Sequence, residues 1–236
     1  MGLQGEQEMH IQDLQKLTLL DFPGKLACTL FTAPCNLRCP FCHNSGLITG
    51  LDDPMEWDVV RDFLISRVGI LHGVCITGGE PTLHNDLTDY LAEIKDLGFL
   101  VKLDTNGTRP EILVDLVDGG LVDYVALDVK NSPQQYDTTI GIKDFEIVPI
   151  ATSIEFLLSG GVDYEFRTTV VQEFHDDEGL LELAKWIRGA KRYYLQTFVD
   201  SDQVLQKDLH PYSPEEMRAF AELIKPIIPG VEVRGI

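Results

Sequence analysis

A chain of 236 residues is long enough for one barrel-sized domain, and its 44% hydrophobic, 24% charged composition is that of a globular protein rather than a disordered or fibrous one. Lys and Arg total 19 against 38 for Asp and Glu, a formal charge of -19 whose field repels phosphate backbones and anionic membranes, so neither nucleic acid nor a membrane is an expected partner. No apolar run has the length of a membrane span, the first ten residues lack an export signal, and Glu6 stands where myristoylation at Gly2 requires Ser or Thr, so a cytoplasmic setting is expected.

In chain order, residues 1–16 show no clear period and read as an N-terminal leader. Residues 25–31 form an apolar run of strand length, followed at once by a cysteine-rich loop. Asp53, Pro54 and Glu56 have the form of a capping box and predict a helix from there to about residue 68. The pattern then alternates. Strands are predicted at 73–77, 99–103, 122–127, 164–171 and 192–197, and helices at 86–97, 110–117 and 149–158, with another beginning after the acids Asp176, Asp177 and Glu178 and running through Trp186. Ser213 and Glu216 make a second capping box, opening a helix to about 225, and 231–234 reads as a last edge strand.

Strands alternating with helices call for an α/β fold with a parallel sheet and right-handed crossovers. Six such units fall short of a closed eightfold barrel, so a partial (β/α)6 barrel is expected, with 17–236 as a single domain. In such barrels the loops leaving the C-terminal strand ends form the active face. The cysteine loop, Gly78-Gly79-Glu80, Asp104 to Gly107 and Asp128 to Lys130 all fall there.

Taken alone, most of these have ordinary explanations. Gly-Gly and Asn-Gly are turn signals, Asp128 with Lys130 is compatible with a surface pair, and Cys28 and Cys75 lie inside predicted strands as small hydrophobes. Cys35, Cys39 and Cys42 are different. Three thiolates at spacings of four and three are soft ligands suited to an iron-sulfur cluster, and a four-iron cube held by three cysteines leaves one iron without a protein ligand. Covalent haem at Cys39 to His43 requires export, a zinc site of three cysteines and His43 lacks the usual second knuckle, and a disulfide framework does not suit a chain of this size.

Cys35-x3-Cys39-x2-Cys42, with aromatic Phe41 before the third cysteine, resembles the signature of the radical S-adenosylmethionine (SAM) enzymes, and Gly78-Gly79-Glu80-Pro81 resembles their second motif. Asp21-Phe22-Pro23-Gly24, Cys42-His43-Asn44, Asp104 to Gly107 and Asp128 to Lys130 narrow the likeness to the glycyl radical enzyme activases, most of all those serving anaerobic ribonucleoside-triphosphate reductase. The resemblance implies one 4Fe-4S cluster on Cys35, Cys39 and Cys42, whose open iron chelates SAM and cleaves it reductively to a 5'-deoxyadenosyl radical. It implies that the Gly78, Gly79 and Glu80 backbone receives the SAM amino group and that Phe41 lies near the adenine. Asp104 and Asp128 would hold the sugar and methionine ends and, with Thr105, a monovalent cation, while Lys130 and more weakly Arg167 would face the carboxylate. No catalytic side chain is implied beyond cluster and SAM. The implied partners are a glycyl radical enzyme and an electron donor such as flavodoxin or ferredoxin. Two positions depart from the activase pattern: Phe22 replaces a glycine, and Gln196-Thr197-Phe198 stands where related activases often carry histidine.

No cysteine follows Cys75, so no auxiliary cluster is expected, and a compact barrel with one cluster suits a macromolecular substrate. The alternatives are a single-cluster radical SAM enzyme acting on a small molecule such as a nucleotide precursor, and a metal-binding scaffold or electron carrier.

Overall fold

The computed structural model describes residues 9–49 and 53–236. An eight-stranded sheet runs β1 (Ile11–Thr18), β2 (Ala27–Thr32), β3 (Gly73–Gly78), β4 (Leu100–Thr105), β5 (Tyr124–Asp128), β6 (Asp163–Val170), β7 (Tyr193–Thr197) and β8 (Val231–Arg234), adjacent in space as in sequence. From β2 to β8 every pairing is parallel, and β1 joins β2 antiparallel. With β1 and β8 as its edges, the sheet is an open barrel. The helices are α1 (Trp57–Ile65), α2 (Leu87–Asp96), α3 (Pro110–Asp118), α4 (Tyr136–Ile140), α5 (Val148–Ser159), α6 (Asp177–Trp186) and α7 (Pro214–Ile224). Among the described residues none is long and apolar enough to cross a membrane.

Strand alternation divides the interior in two. Val74 and Ile76 of β3, Val101 and Leu103 of β4, and Val125 and Leu127 of β5 join the helices in the main apolar core. The residues between them point into the barrel. There Ala27, Cys75 and Tyr124 form a small separate cluster with Phe22, closing the floor. Phe22, whose ring lies 6.0 Å from that of Tyr124, thus fills space with the side chain that departs from the activase pattern. Cys28 and Cys75 are both fully buried, one in each cluster.

Two expectations are corrected. The leader expected over 1–16 is a strand from Ile11 onward, and residues 1–8 lie outside the described residues. Much of β1 is exposed edge with two breaks in register, which erases the alternation that marks a half-buried strand. The helix expected from Asp53 begins at Trp57, because the Met55 amide donates instead to the Ile11 carbonyl at 2.7 Å, drawing 53–56 onto β1; no side chain caps the helix. By contrast, the Ser213–Glu216 box forms as expected, and the Asp176 carboxylate accepts from the Gly179 amide at 2.8 Å to cap α6.

Candidate active site

The C-terminal strand ends surround a cavity of about 310 Å³. Cys35, Cys39 and Cys42 line it, together with Phe41, Gly78, Gly79, Asp104, Thr105, Asp128, Lys130 and Arg167. Glu80 alone among the expected site residues does not.

The cysteine loop leaves β2 and is pinned from several sides. Cys35 N donates to the Ile48 carbonyl at 3.3 Å, Arg38 N to the Ile140 carbonyl at 3.0 Å, and Cys42 N to the Cys39 carbonyl at 3.0 Å. The segment after β7 straps the loop's outer side: Leu205 N donates to the Cys42 carbonyl at 3.2 Å, Gln206 N to the Pro40 carbonyl at 2.8 Å, and Ser45 Oγ to the Gln203 carbonyl at 2.6 Å. Nothing in the sequence pattern marks this strap. Phe41 borders the cavity and packs on Phe174 with ring centroids 5.8 Å apart.

Both glycines at the end of β3 are required by close backbone contact, Gly78 with the end of β2 and Gly79 with the start of the cysteine loop. Gly78 has φ +111°, and a Cβ there would lie 2.4 Å from Thr32 N; at Gly79 it would lie 2.3 Å from the Pro34 carbonyl oxygen. The Gly79 amide donates to the Thr32 carbonyl at 2.7 Å and that of Glu80 to Pro34 at 3.0 Å. Missing side chains therefore let the two loops meet backbone to backbone.

The Glu80 carboxylate is fully buried and turned away from the cavity. Its Oε1 accepts from Thr82 N at 3.1 Å, Thr82 Oγ1 at 2.6 Å and Thr105 Oγ1 at 2.8 Å, and its Oε2 accepts from Asn106 N at 2.6 Å. Burial raises its pKa against these four donors. The side chain ties the loop after β3 to the loop after β4.

The polar floor is a continuous ion network. Arg167 donates through NH1 to Asp104 Oδ2 at 2.9 Å and through Nε to Asp128 Oδ1 at 2.8 Å. Lys130 Nζ reaches Asp128 Oδ2 at 3.0 Å, Lys102 Nζ contacts Asp104 Oδ1, and Thr77 Oγ1 donates to Asp104 Oδ2 at 3.2 Å. Burial works to raise both carboxyls, but Arg167, followed by Lys102 at Asp104 and Lys130 at Asp128, holds them below the usual carboxylate range. Lys130 is raised in turn: burial opposes its charge most, but the Asp128 carboxylate, through its charge and its hydrogen bond, together with the neighbouring Cys39 and Tyr136, carries the balance upward.

Lys102, Thr77, Thr169 and Gln196 were not expected in or beside the site. The last three line the cavity, and Gln196 is the member of the 196–198 departure that does so. The inward phase of each strand was the available signal. Asp21, from the other departure, also lines the wall and accepts from Thr29 Oγ1 at 2.6 Å.

Three thiols on one wall fit a thiolate-held cluster, and neither remaining cysteine reaches the cavity. Among the described residues no three His, Cys, Asp or Glu side chains are gathered so as to hold a single metal ion. Without metal, burial pushes the Cys39 thiol up to about 12, with Lys130 opposing, and raises Cys35 as well. Cluster assembly must therefore displace protons from these thiols.

Residues 29–191, more than half of the chain, match the family model of the radical SAM superfamily. A Methanocaldococcus jannaschii protein provisionally named a glycyl-radical enzyme activating enzyme is 32% identical over 96% of both chains. A Halobacterium salinarum protein provisionally named GTP 3',8-cyclase is 38% identical, over 38% of this chain and 27% of its own. In fold, the chain is similar to Streptococcus suis SuiB bound to S-adenosylmethionine (TM-score 0.66, 16% identity, 86% of this chain and 48% of SuiB). It is also similar to a domain of pyruvate-formate lyase-activating enzyme from Bacteroides vulgatus (TM-score 0.56, 17% identity, 69% of this chain and 99% of that domain). The three-cysteine wall, the open parallel barrel and these matches agree: the chain belongs to the radical SAM superfamily, alongside relatives named as glycyl-radical enzyme activating enzymes.

Proposed function

We propose that this protein is the activase of a glycyl radical enzyme, and that anaerobic ribonucleoside-triphosphate reductase is the partner. When bound, a 4Fe-4S cluster and SAM would supply, through one-electron reductive cleavage of SAM, the carbon radical that takes a hydrogen atom from a glycine α-carbon of that partner. Cys35, Cys39 and Cys42 hold the cluster. Lys130 and Arg167 present positive charge at the cavity floor for a carboxylate, Asp104 and Asp128 orient those cations, and Phe41 offers an apolar face to the adenine. The sheet from β1 to β8 and its helices act as one domain in the cytoplasm, with flavodoxin or ferredoxin as the reductant.

The observation that carries the reading is the single cavity onto which the three cysteines and the strand-end residues converge, in a chain matched end to end by a relative named as an activating enzyme. The matches to proteins named GTP 3',8-cyclase favour a small-molecule enzyme less, because the one described above covers only 27% of that protein.

Anaerobic reconstitution with iron and sulfide, chemical reduction and chromatographic assay of 5'-deoxyadenosine test the chemistry, with Cys39→Ala as control. Electron paramagnetic resonance on a co-incubated anaerobic reductase tests the partner. A glycyl radical formed only with intact protein and SAM is expected. SAM cleavage without a radical on the reductase overturns the partner, and no cleavage at all overturns the enzyme reading.

A further inference from the structure

The residues expected to hold a monovalent cation, Asp104, Asp128 and Thr105, are already spent within the protein. Asp104 Oδ1 is in contact with Lys102 Nζ, and its Oδ2 takes Arg167 NH1 at 2.9 Å and Thr77 Oγ1 at 3.2 Å. Asp128 Oδ1 takes Arg167 Nε at 2.8 Å, and its Oδ2 takes Lys130 Nζ at 3.0 Å. The Thr105 hydroxyl donates to Glu80 Oε1 at 2.8 Å and accepts from Gly107 N at 3.1 Å. Each of the four carboxylate oxygens thus faces a cation that the chain itself supplies. A sodium or potassium ion needs several oxygens free to turn toward it, as hard cations do. These residues do not fit one.

Lys102 is the telling member of the set. It lies in the middle of β4 with its side chain 1% exposed, does not border the cavity, and has Asp104 as its ion-pair partner. A lysine is seldom fully buried unless paired, and burying its charge is unfavourable without a partner. Its neighbours Val101 and Leu103 face the helices, which leaves Lys102 the inward phase of the strand and directs its ammonium along the barrel axis toward Asp104. Two carboxylates meet three cations, Lys102, Lys130 and Arg167, within this network, and Asp21 adds a further carboxylate on the cavity wall.

We propose that Lys102 is the resident cation of this site: its ammonium neutralises and orients Asp104, so that SAM binds without an added monovalent ion. Lys102 is then a positioning residue that acts through Asp104. The assignment rests on the SAM reading given above and specifies how that cofactor's site is charged.

Two arms test it. In the first, SAM binding to the cluster-loaded protein is titrated in potassium chloride and in choline chloride at equal ionic strength. The wild type is expected to keep the same dissociation constant, whereas Lys102→Met loses affinity by about tenfold in choline and recovers it with potassium, a typical size for coupling between two bound species. In the second, crystals of the protein without SAM are soaked in thallous acetate and anomalous scattering is mapped. No thallium is expected beside Asp104 in the wild type, and a site is expected there in Lys102→Met. A potassium requirement for SAM binding by the wild type, or thallium at its Asp104, overturns the proposal. Both decisive outcomes use the unmodified protein, so instability of the variant does not protect the idea. Absence of SAM binding in every salt counts against the cofactor reading itself, while the thallium arm, needing no cofactor, still decides on Lys102.

Discussion

Replacing Glu80 by Gln separates an internal tie from a cofactor contact. The carboxylate is fully buried and accepts four hydrogen bonds, three at Oε1 and one, from Asn106 N at 2.6 Å, at Oε2. Glutamine offers one acceptor oxygen. Placed where Oε1 was, it keeps the threonine contacts and turns its NH2 toward the Asn106 amide, so that two donors meet. A charge-assisted hydrogen bond is lost and a buried N–H is left without an acceptor, each costing about 1–3 kcal/mol, partly offset by no longer burying a charge. The net expectation is a loss of about 2–3 kcal/mol, or roughly 4–12 °C in Tm for a chain of this size. Glu80→Ala removes all four acceptors and is expected to lose at least about 4 kcal/mol. Thermal unfolding of the metal-free protein, followed by circular dichroism, measures both without any cofactor. An unchanged Tm for Glu80→Gln, combined with lost SAM affinity in the cluster-loaded protein, would refute the reasoning and place the side chain on the ligand.

Arg167→Met removes the guanidinium shared by Asp104 and Asp128, and an unfolding titration in urea should show a loss near the lower end of about 3–5 kcal/mol, since Lys102 and Lys130 remain as partners. Gly79→Ala drives a methyl to 2.3 Å from the Pro34 carbonyl oxygen, so the cysteine loop must shift; a loss of about 1–3 kcal/mol is expected, with lower iron content after reconstitution. The Asp128 pKa is depressed, so its stabilisation is fully present above the unfolded carboxylate value of about 4 and is lost as pH falls through the folded value. The stability gap between wild type and Asp128→Asn, read from urea midpoints, should therefore be widest near neutrality and narrow in acid; a gap that widens in acid refutes the sign.

Much of the molecule was legible along the chain because the relevant physics is local. The strand and helix alternation showed in apolar runs of strand length, and the acidic start of the helix after β6 and the capping box at Ser213 need only a few neighbouring residues. The cysteine spacing is a local signal too, and since parallel strands must be joined by crossovers, alternation alone put the cysteine loop and the three strand-end motifs on one rim.

What lay outside local range was decided by tertiary contact. β1 is a strand because β2 offers an edge, and 53–56 is drawn onto β1 rather than into a helix. Glu80 belongs to a motif, yet only the position of Thr105 and Asn106 at the end of the adjacent strand turns its carboxylate inward and away from the cavity. Glycine at 78 and 79 is explained by the backbone of Thr32 and Pro34, more than forty residues earlier. The strap at 203–206 meets the cysteine loop through backbone amides, which carry no sequence signature. Alternation shows that Lys102 and Asp104 share a face of β4, but not that Arg167, on a strand two places away, completes the pairing so that both Asp104 oxygens already face a cation of the chain. Local propensity and spacing fixed which residues gather at the rim; which of them face the cavity and which are consumed holding one another depends on contacts across the barrel.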